Sequence, residues 1–133
     1  MPAVVADTHA IIWYVTDNPR LSQKAVAAMD AATAAGDPIY VSAISLIEVQ
    51  YLVEKGRLAA EDQRLLLEAI DDANRPARLV PVDREIAEAL KMVPRDEVPD
   101  MPDRIVAATA FLLGIPAISR DGKIRASQVQ TIW

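Results

Sequence analysis

A chain of 133 residues, 52% of them apolar and 25% charged, has the size and composition of one folded domain spanning residues 1–133. The absence of cysteine and the single histidine exclude a disulfide scaffold, a thiolate zinc site and a histidine-rich metal centre, leaving oxygen ligands and hard cations for any metal. A net charge of −5 argues against non-specific coating of nucleic acid but permits a nuclease, because a carboxylate metal site accounts for part of that charge.

The first seven residues lack a basic lead-in and reach an acid at Asp7, so they are not expected to be a signal peptide. No apolar run approaches the roughly 18 residues that a membrane span needs, and a cytoplasmic location is the expectation. Residues 3–6 read as a buried strand ending at Asp7. Residues 8–14 follow as a short helix, broken at Asp17-Asn18-Pro19. Ser22 caps a helix that runs to Ala35 and is closed by Gly36. Residues 39–41 form a second strand. Ser42 caps the next helix, whose apolar body covers residues 44–53 and which stops at Gly56. Residues 60–73 form an amphipathic helix with Leu65, Leu66, Ala69 and Ile70 on one side.

Residues 79–82 read as a third strand, and Pro81 places it at an edge or at a strand end. Asp83 caps a helix through Met92. A loop rich in proline and acid covers residues 94–102, followed by an apolar helix over 103–113 that Gly114 and Pro116 end. Residues 117–119 form a fourth strand, Asp121-Gly122 a turn, and residues 129–133 a last short strand. Strands alternating with helices predict an α/β fold with a parallel sheet covered by helices on both faces. In such a sheet the strand carboxyl ends share one edge, where ligands bind.

Four acids stand at the edges of these elements: Asp7, Glu48, Asp103 and Asp121. Carboxylates gathered in one crevice raise each other's pKa, and a divalent cation relieves the repulsion. Glu48 is the most telling, because Ile44, Leu46, Ile47, Val49 and Leu52 surround it on a helix expected to be buried. Each acid also has a structural reading. Asp7 suits a helix N-cap, and Glu48 an ion pair with Lys55 or Arg57. Asp103 and Asp100 suit a helix N-terminus, and Asp121 a turn. Asp100 therefore ranks second, as do Thr8 and Ser119, whose hydroxyls suit either caps or carboxylate partners, and Arg104, which suits phosphate or a salt bridge. A structural place is the simpler reading for His9, and a core or interface place for Trp13, Tyr14 and Tyr51.

The ordered segments Val4-Val5-Ala6-Asp7-Thr8-His9-Ala10-Ile11-Ile12-Trp13, Val41-Ser42-Ala43-Ile44-Ser45-Leu46-Ile47-Glu48, Asp100-Met101-Pro102-Asp103-Arg104-Ile105-Val106-Ala107-Ala108-Thr109-Ala110 and Ile118-Ser119-Arg120-Asp121-Gly122-Lys123-Ile124 resemble the motifs of PIN-domain ribonucleases. The likeness is greatest to the VapC-type toxins of bacterial toxin–antitoxin pairs. It covers essentially the whole chain, with Ser119 where the family often has Thr. The resemblance implies that Asp7, Glu48, Asp103 and Asp121 bind Mg²⁺ or Mn²⁺ and hydrolyse RNA. It also implies a three-layer α/β/α PIN-like domain with a central parallel sheet of four to five strands, a homodimer and a cognate antitoxin protein whose tail blocks the acidic groove.

The expected activity is that of a metal-dependent endoribonuclease, with phosphate contacts drawn from Arg20, Lys24, Arg57, Arg104, Arg120, Lys123 and Arg125. The apolar residues Ile11, Trp13, Leu65 and Leu66 offer dimer surface. Two other readings stand beside it. In a receiver-like phosphoacceptor domain, Asp7 and Asp83 follow strands and Lys123 meets phosphate. In a non-catalytic binding module, the acidic groove holds a basic peptide.

Overall fold

In the computed structural model, which describes residues 2–74 and 77–133, every strand belongs to one parallel sheet. Met1, Arg75 and Pro76, which fall within the expected 1–133 domain, lie outside the described residues. The strands are β1 (Val4–Ala6), β2 (Ile39–Ser42), β3 (Ala77–Val80), β4 (Ala117–Ile118) and β5 (Thr131–Ile132), in the order β3-β2-β1-β4-β5. The helices are α1 (Thr8–Val15), α2 (Gln23–Ala35), α3 (Ala43–Glu54), α4 (Ala60–Asp71), α5 (Arg84–Ala89), α6 (Met101–Leu113) and α7 (Gly122–Ala126). A 3-10 turn, Leu90–Met92, extends α5.

The strand pleat sorts side chains into two cores. Val4, Ala6, Ile39, Val41 and Ile118 face α1, α2 and α4. Val5 and Ala117 face α5, α6 and α7 on the other side. Burying one of these valine or isoleucine side chains contributes about 1.5–3 kcal/mol, so the short strands hold because both of their faces are covered. Local chemistry fixes the helix ends. Ser22 Oγ accepts from the Ala25 amide, and Gly36 closes α2 at a φ of 72°, where a Cβ would be strained.

Several expectations shift. β3 lies at Ala77–Val80, two residues before the expected 79–82, so Pro81 follows the strand instead of interrupting it. Asp121-Gly122 is not a free turn but the start of α7, with Asp121 as its N-cap. α6 begins at Met101 with Asp100 as its cap, which puts Asp103 inside the first turn. α3 is not buried all round: Ile47 and Tyr51 are 53% and 59% exposed. Ile11, Trp13 and Leu66 are at most 5% exposed, so they pack the core and cannot be dimer surface. The sheet order also departs from the receiver-like order 2-1-3-4-5. In this chain Asp83 ends at an edge strand and only caps α5, its carboxylate accepting from the Ile86 amide at 3.1 Å. The receiver-like reading falls with that topology.

Candidate active site

Chain order reverses between β1 and β4, the neighbouring strands at the middle of the sheet. An open parallel sheet leaves a crevice at such a point, beyond the strand carboxyl ends. Asp7 follows β1, while Ser119, Arg120 and Asp121 follow β4. α3 brings Glu48 to the same place and the first turn of α6 brings Asp103. A cavity of about 360 Å³ results, and the five acids Asp7, Glu48, Asp100, Asp103 and Asp121 all line it, with Thr8, His9 and Arg120.

Each carboxylate is held by its neighbours. Asp7 caps α1, one oxygen accepting from the Ala10 amide at 2.8 Å, and it also takes a hydrogen bond from Ser119. Ser119 is fully buried, and its Oγ accepts from the Asp121 amide at 3.0 Å, so one hydroxyl ties Asp7 to the Asp121 backbone. Asp121 accepts from the amides of Lys123 and Ile124 at the start of α7. Glu48 makes neither expected ion pair; Oε1 accepts from Thr8 Oγ1 at 2.5 Å. Thr8 Oγ1 in turn lies 2.8 Å from the buried Ser45 Oγ. Asp100 accepts from the Asp103 amide at 3.2 Å, leaving the Asp103 carboxylate free for the crevice.

The electrostatics follow from this crowding. Burial raises the Asp7 carboxyl above its ordinary value, against its hydrogen bonds and the nearby His9. Burial likewise raises Glu48, with Asp100 and Asp7 adding to the effect and Thr8 opposing it. Asp103 carries the largest burden. Loss of solvent and the charges of Asp121, Asp100, Glu48 and Asp7 push it up to about 7.

The donors are all oxygens and the site has excess negative charge, which suits a hard divalent cation. Among the described residues, no group of three or more of these side chains is placed to hold a metal ion as it stands. The carboxylates line an open crevice and not a closed shell.

The sequence reading placed the four leading acids, and the structure brings all of them together with Asp100, Thr8 and Ser119. Arg104 goes elsewhere. Its Nε and NH2 donate to the carbonyls of Val93 and Leu90 at 2.8 and 2.9 Å, so its fork anchors the loop before α6. One contributor was missed and another, weighed as a phosphate contact, was ranked too low. Ser45 backs Thr8 behind Glu48, and its position one helical turn before Glu48 was the available signal. His9, first read as structural, lines the crevice.

A sequence profile of the PIN domain matches residues 4–128. Ribonuclease VapC22 of Mycobacterium tuberculosis is 26% identical over 136 aligned positions, covering 100% of both chains. Among solved structures, VapBC2 from Rickettsia felis, bound to a DNA fragment from their promoter, superposes with a TM-score of 0.71 at 14% identity over 97% of this chain and 96% of that one. FitAcB from Neisseria gonorrhoeae does so with a TM-score of 0.64 at 21% identity, over 96% and 95%. Both structural likenesses are likenesses of fold.

Proposed function

The chain belongs to the PIN-domain family, and from that premise we propose that it is a metal-dependent endoribonuclease acting as the toxin of a VapBC-like toxin–antitoxin pair. One observation carries the reading. Acids from four separated segments meet at the reversal point of the sheet, where loss of solvent first and the neighbouring charges second push Asp103 up to about 7. The full-length match to a ribonuclease supports the choice of RNA.

Asp7, Glu48, Asp103 and Asp121 would hold Mg²⁺ or Mn²⁺. Such an ion polarises a phosphate oxygen and brings the pKa of a bound water toward neutrality. The chain's own residues provide placement. The Ala10 amide and Ser119 fix Asp7, Thr8 fixes Glu48, and the start of α7 fixes Asp121. Asp103, with its raised pKa, exchanges a proton near neutral pH and so yields readily to a cation.

The structural likeness to VapBC2 and FitAcB supports a cognate antitoxin, and the homodimer rests on the resemblance of the motifs alone. A cytoplasmic site of action belongs to the same reading; among the described residues no helix is long and apolar enough to cross a membrane.

The test is cleavage of a mixed pool of structured cellular RNAs by the purified protein in Mg²⁺ or Mn²⁺. Discrete products that disappear with chelator and with Asp7→Asn establish the activity. Folded, metal-bound protein that cuts nothing but binds a basic peptide through the crevice would favour the binding-module reading instead.

A further inference from the structure

A second cavity, of about 500 Å³, adjoins the acidic crevice and shares Thr8, His9 and Arg120 with it. Its polarity is the reverse of its neighbour's. Arg20, from the loop after α1, and Arg57, from the turn between α3 and α4, line it together with Arg120, and Asp62 is its one acid among the described lining residues. In a chain of net charge −5, three guanidiniums beside a cluster of carboxylates form a local reversal of the field.

These arginines are not committed to the fold. Arg64 pairs with Glu61 and Glu68, Arg84 with Glu88, and Arg104 with two backbone carbonyls. The side chains of Arg20 and Arg57 are exposed and make no hydrogen bond or ion pair among the described residues. Arg120 is held over the Trp13 ring, its guanidinium carbon 4.7 Å from the centroid. Trp13 itself is buried and packs on Trp133 and His9, at ring centroid distances of 6.1 and 5.5 Å. A guanidinium stacked on a fixed ring keeps its N–H edge free to donate. Arg120 thus stands on the boundary between the two cavities.

We propose that this groove is the lane that holds the single-stranded RNA on one side of the bond to be cut, with Arg20 and Arg57 binding successive phosphates and Arg120 the phosphate nearest the acids. The proposal rests on the ribonuclease reading above and adds to it where the substrate lies. A polyanion approaching five carboxylates needs such a lane, because bound cations offset the repulsion only at the crevice itself. Guanidiniums bind phosphate through two parallel N–H groups, which fixes the strand as well as attracting it. The shared edge at Thr8, His9 and Arg120 carries the strand directly from the lane to the acids.

The experiment measures anisotropy of a short fluorescein-labelled single-stranded RNA of mixed sequence, in magnesium buffer, on full-length protein silenced by Asp103→Asn. Adding Arg20→Gln and Arg57→Gln is expected to weaken binding about tenfold and to lower the salt slope by about 0.7 for each arginine. Arg20→Lys with Arg57→Lys should recover most of the salt slope and part of the affinity. Arg84→Gln, on the opposite face of the sheet, should bind as the silenced parent does. Circular dichroism on each variant confirms folding. Unchanged affinity and slope in the double glutamine variant, with the unsilenced protein still cutting RNA, would overturn the lane and leave the ribonuclease reading intact. A silenced parent that binds no RNA, together with an unsilenced protein that cuts none, would overturn both.

Discussion

Thr8 fixes Glu48: its hydroxyl donates to Oε1 at 2.5 Å, although 40 positions separate the two residues. The bond joins the first turn of α1 to the middle of α3, and the buried Ser45 hydroxyl stands 2.8 Å behind it. A carboxylate held in this way needs little reorganisation to meet a cation, and residues that orient ligands typically matter 10–100-fold in affinity or activity. Thr8→Val keeps the shape and removes the hydroxyl. Cleavage should fall by about 10–100-fold with the fold retained, and Thr8→Ser should restore most of it. Equal rates for the valine variant and the parent would show that Glu48 needs no such hold.

The crowding of acids has a consequence for stability in chelator. Asp103 ordinarily ionises at 3.8 and in the folded chain at about 7, so the folded state binds the proton more tightly than the unfolded chain. Stability from this group is fully present below about pH 4 and is lost as pH rises through 7. Asp7 and Glu48 are displaced in the same direction. The metal-free protein should therefore melt higher at pH 5 than at pH 8. Asp103→Asn should flatten the difference and stabilise the protein at pH 8 by about 1–2 kcal/mol, after allowance for solvent screening. Thermal melts in chelator at the two pH values check both statements.

Cation binding should reverse that order. Mg²⁺ competes with protons for the same carboxylates, so its stabilising effect belongs at higher pH. At about a hundredfold excess over its dissociation constant, a ligand that binds only the folded state adds about 2.7 kcal/mol. Melting with and without Mg²⁺ should show a rise at pH 8 that shrinks at pH 5 and is absent in Asp7→Asn with Asp103→Asn. A rise that does not depend on pH would place the ion elsewhere.

Arg104 serves the fold. Its two donors satisfy the carbonyls of Leu90 and Val93 and so set the entry to α6, on whose first turn Asp103 sits. Arg104→Ala should cost about 1–3 kcal/mol in denaturant melts, the usual loss when part-buried acceptors lose their partner. RNA affinity of the folded variant should be unchanged, with the salt slope of the parent. A reduced salt slope at intact stability would assign Arg104 to phosphate after all.

Much of the site was legible in the sequence because its signals are local. Asp7 ends an apolar strand, Glu48 sits among apolar neighbours, and Asp103 and Asp121 open helices, so each violates or punctuates a pattern that can be read within a few residues. Resemblance then ordered these segments into one family. Arg104 was misjudged because a flanking arginine has the same local signature whether it meets phosphate or a carbonyl. The roles of Thr8 and Ser45 depend on α1 lying against α3, which no local spacing states. Ile47 was expected inside because helix periodicity shows how apolar a helix is, not how many of its faces find a neighbour.

By itself the amino-acid sequence determined the alternation of strand and helix, the caps at Ser22, Ser42 and Asp83, and a set of acids standing at the edges of these elements. These follow from backbone preference and side-chain chemistry, which act over a few residues. The tertiary structure alone decided the strand order β3-β2-β1-β4-β5, which places Asp7 beside Ser119 and Asp121 and rules out a receiver. It alone took Asp103 out of solvent among four other carboxylates, which pushes it up to about 7, and set Arg20, Arg57 and Arg120 around the adjoining cavity. Charge interactions and desolvation depend on distance through space, and that distance exists only once the sheet has formed.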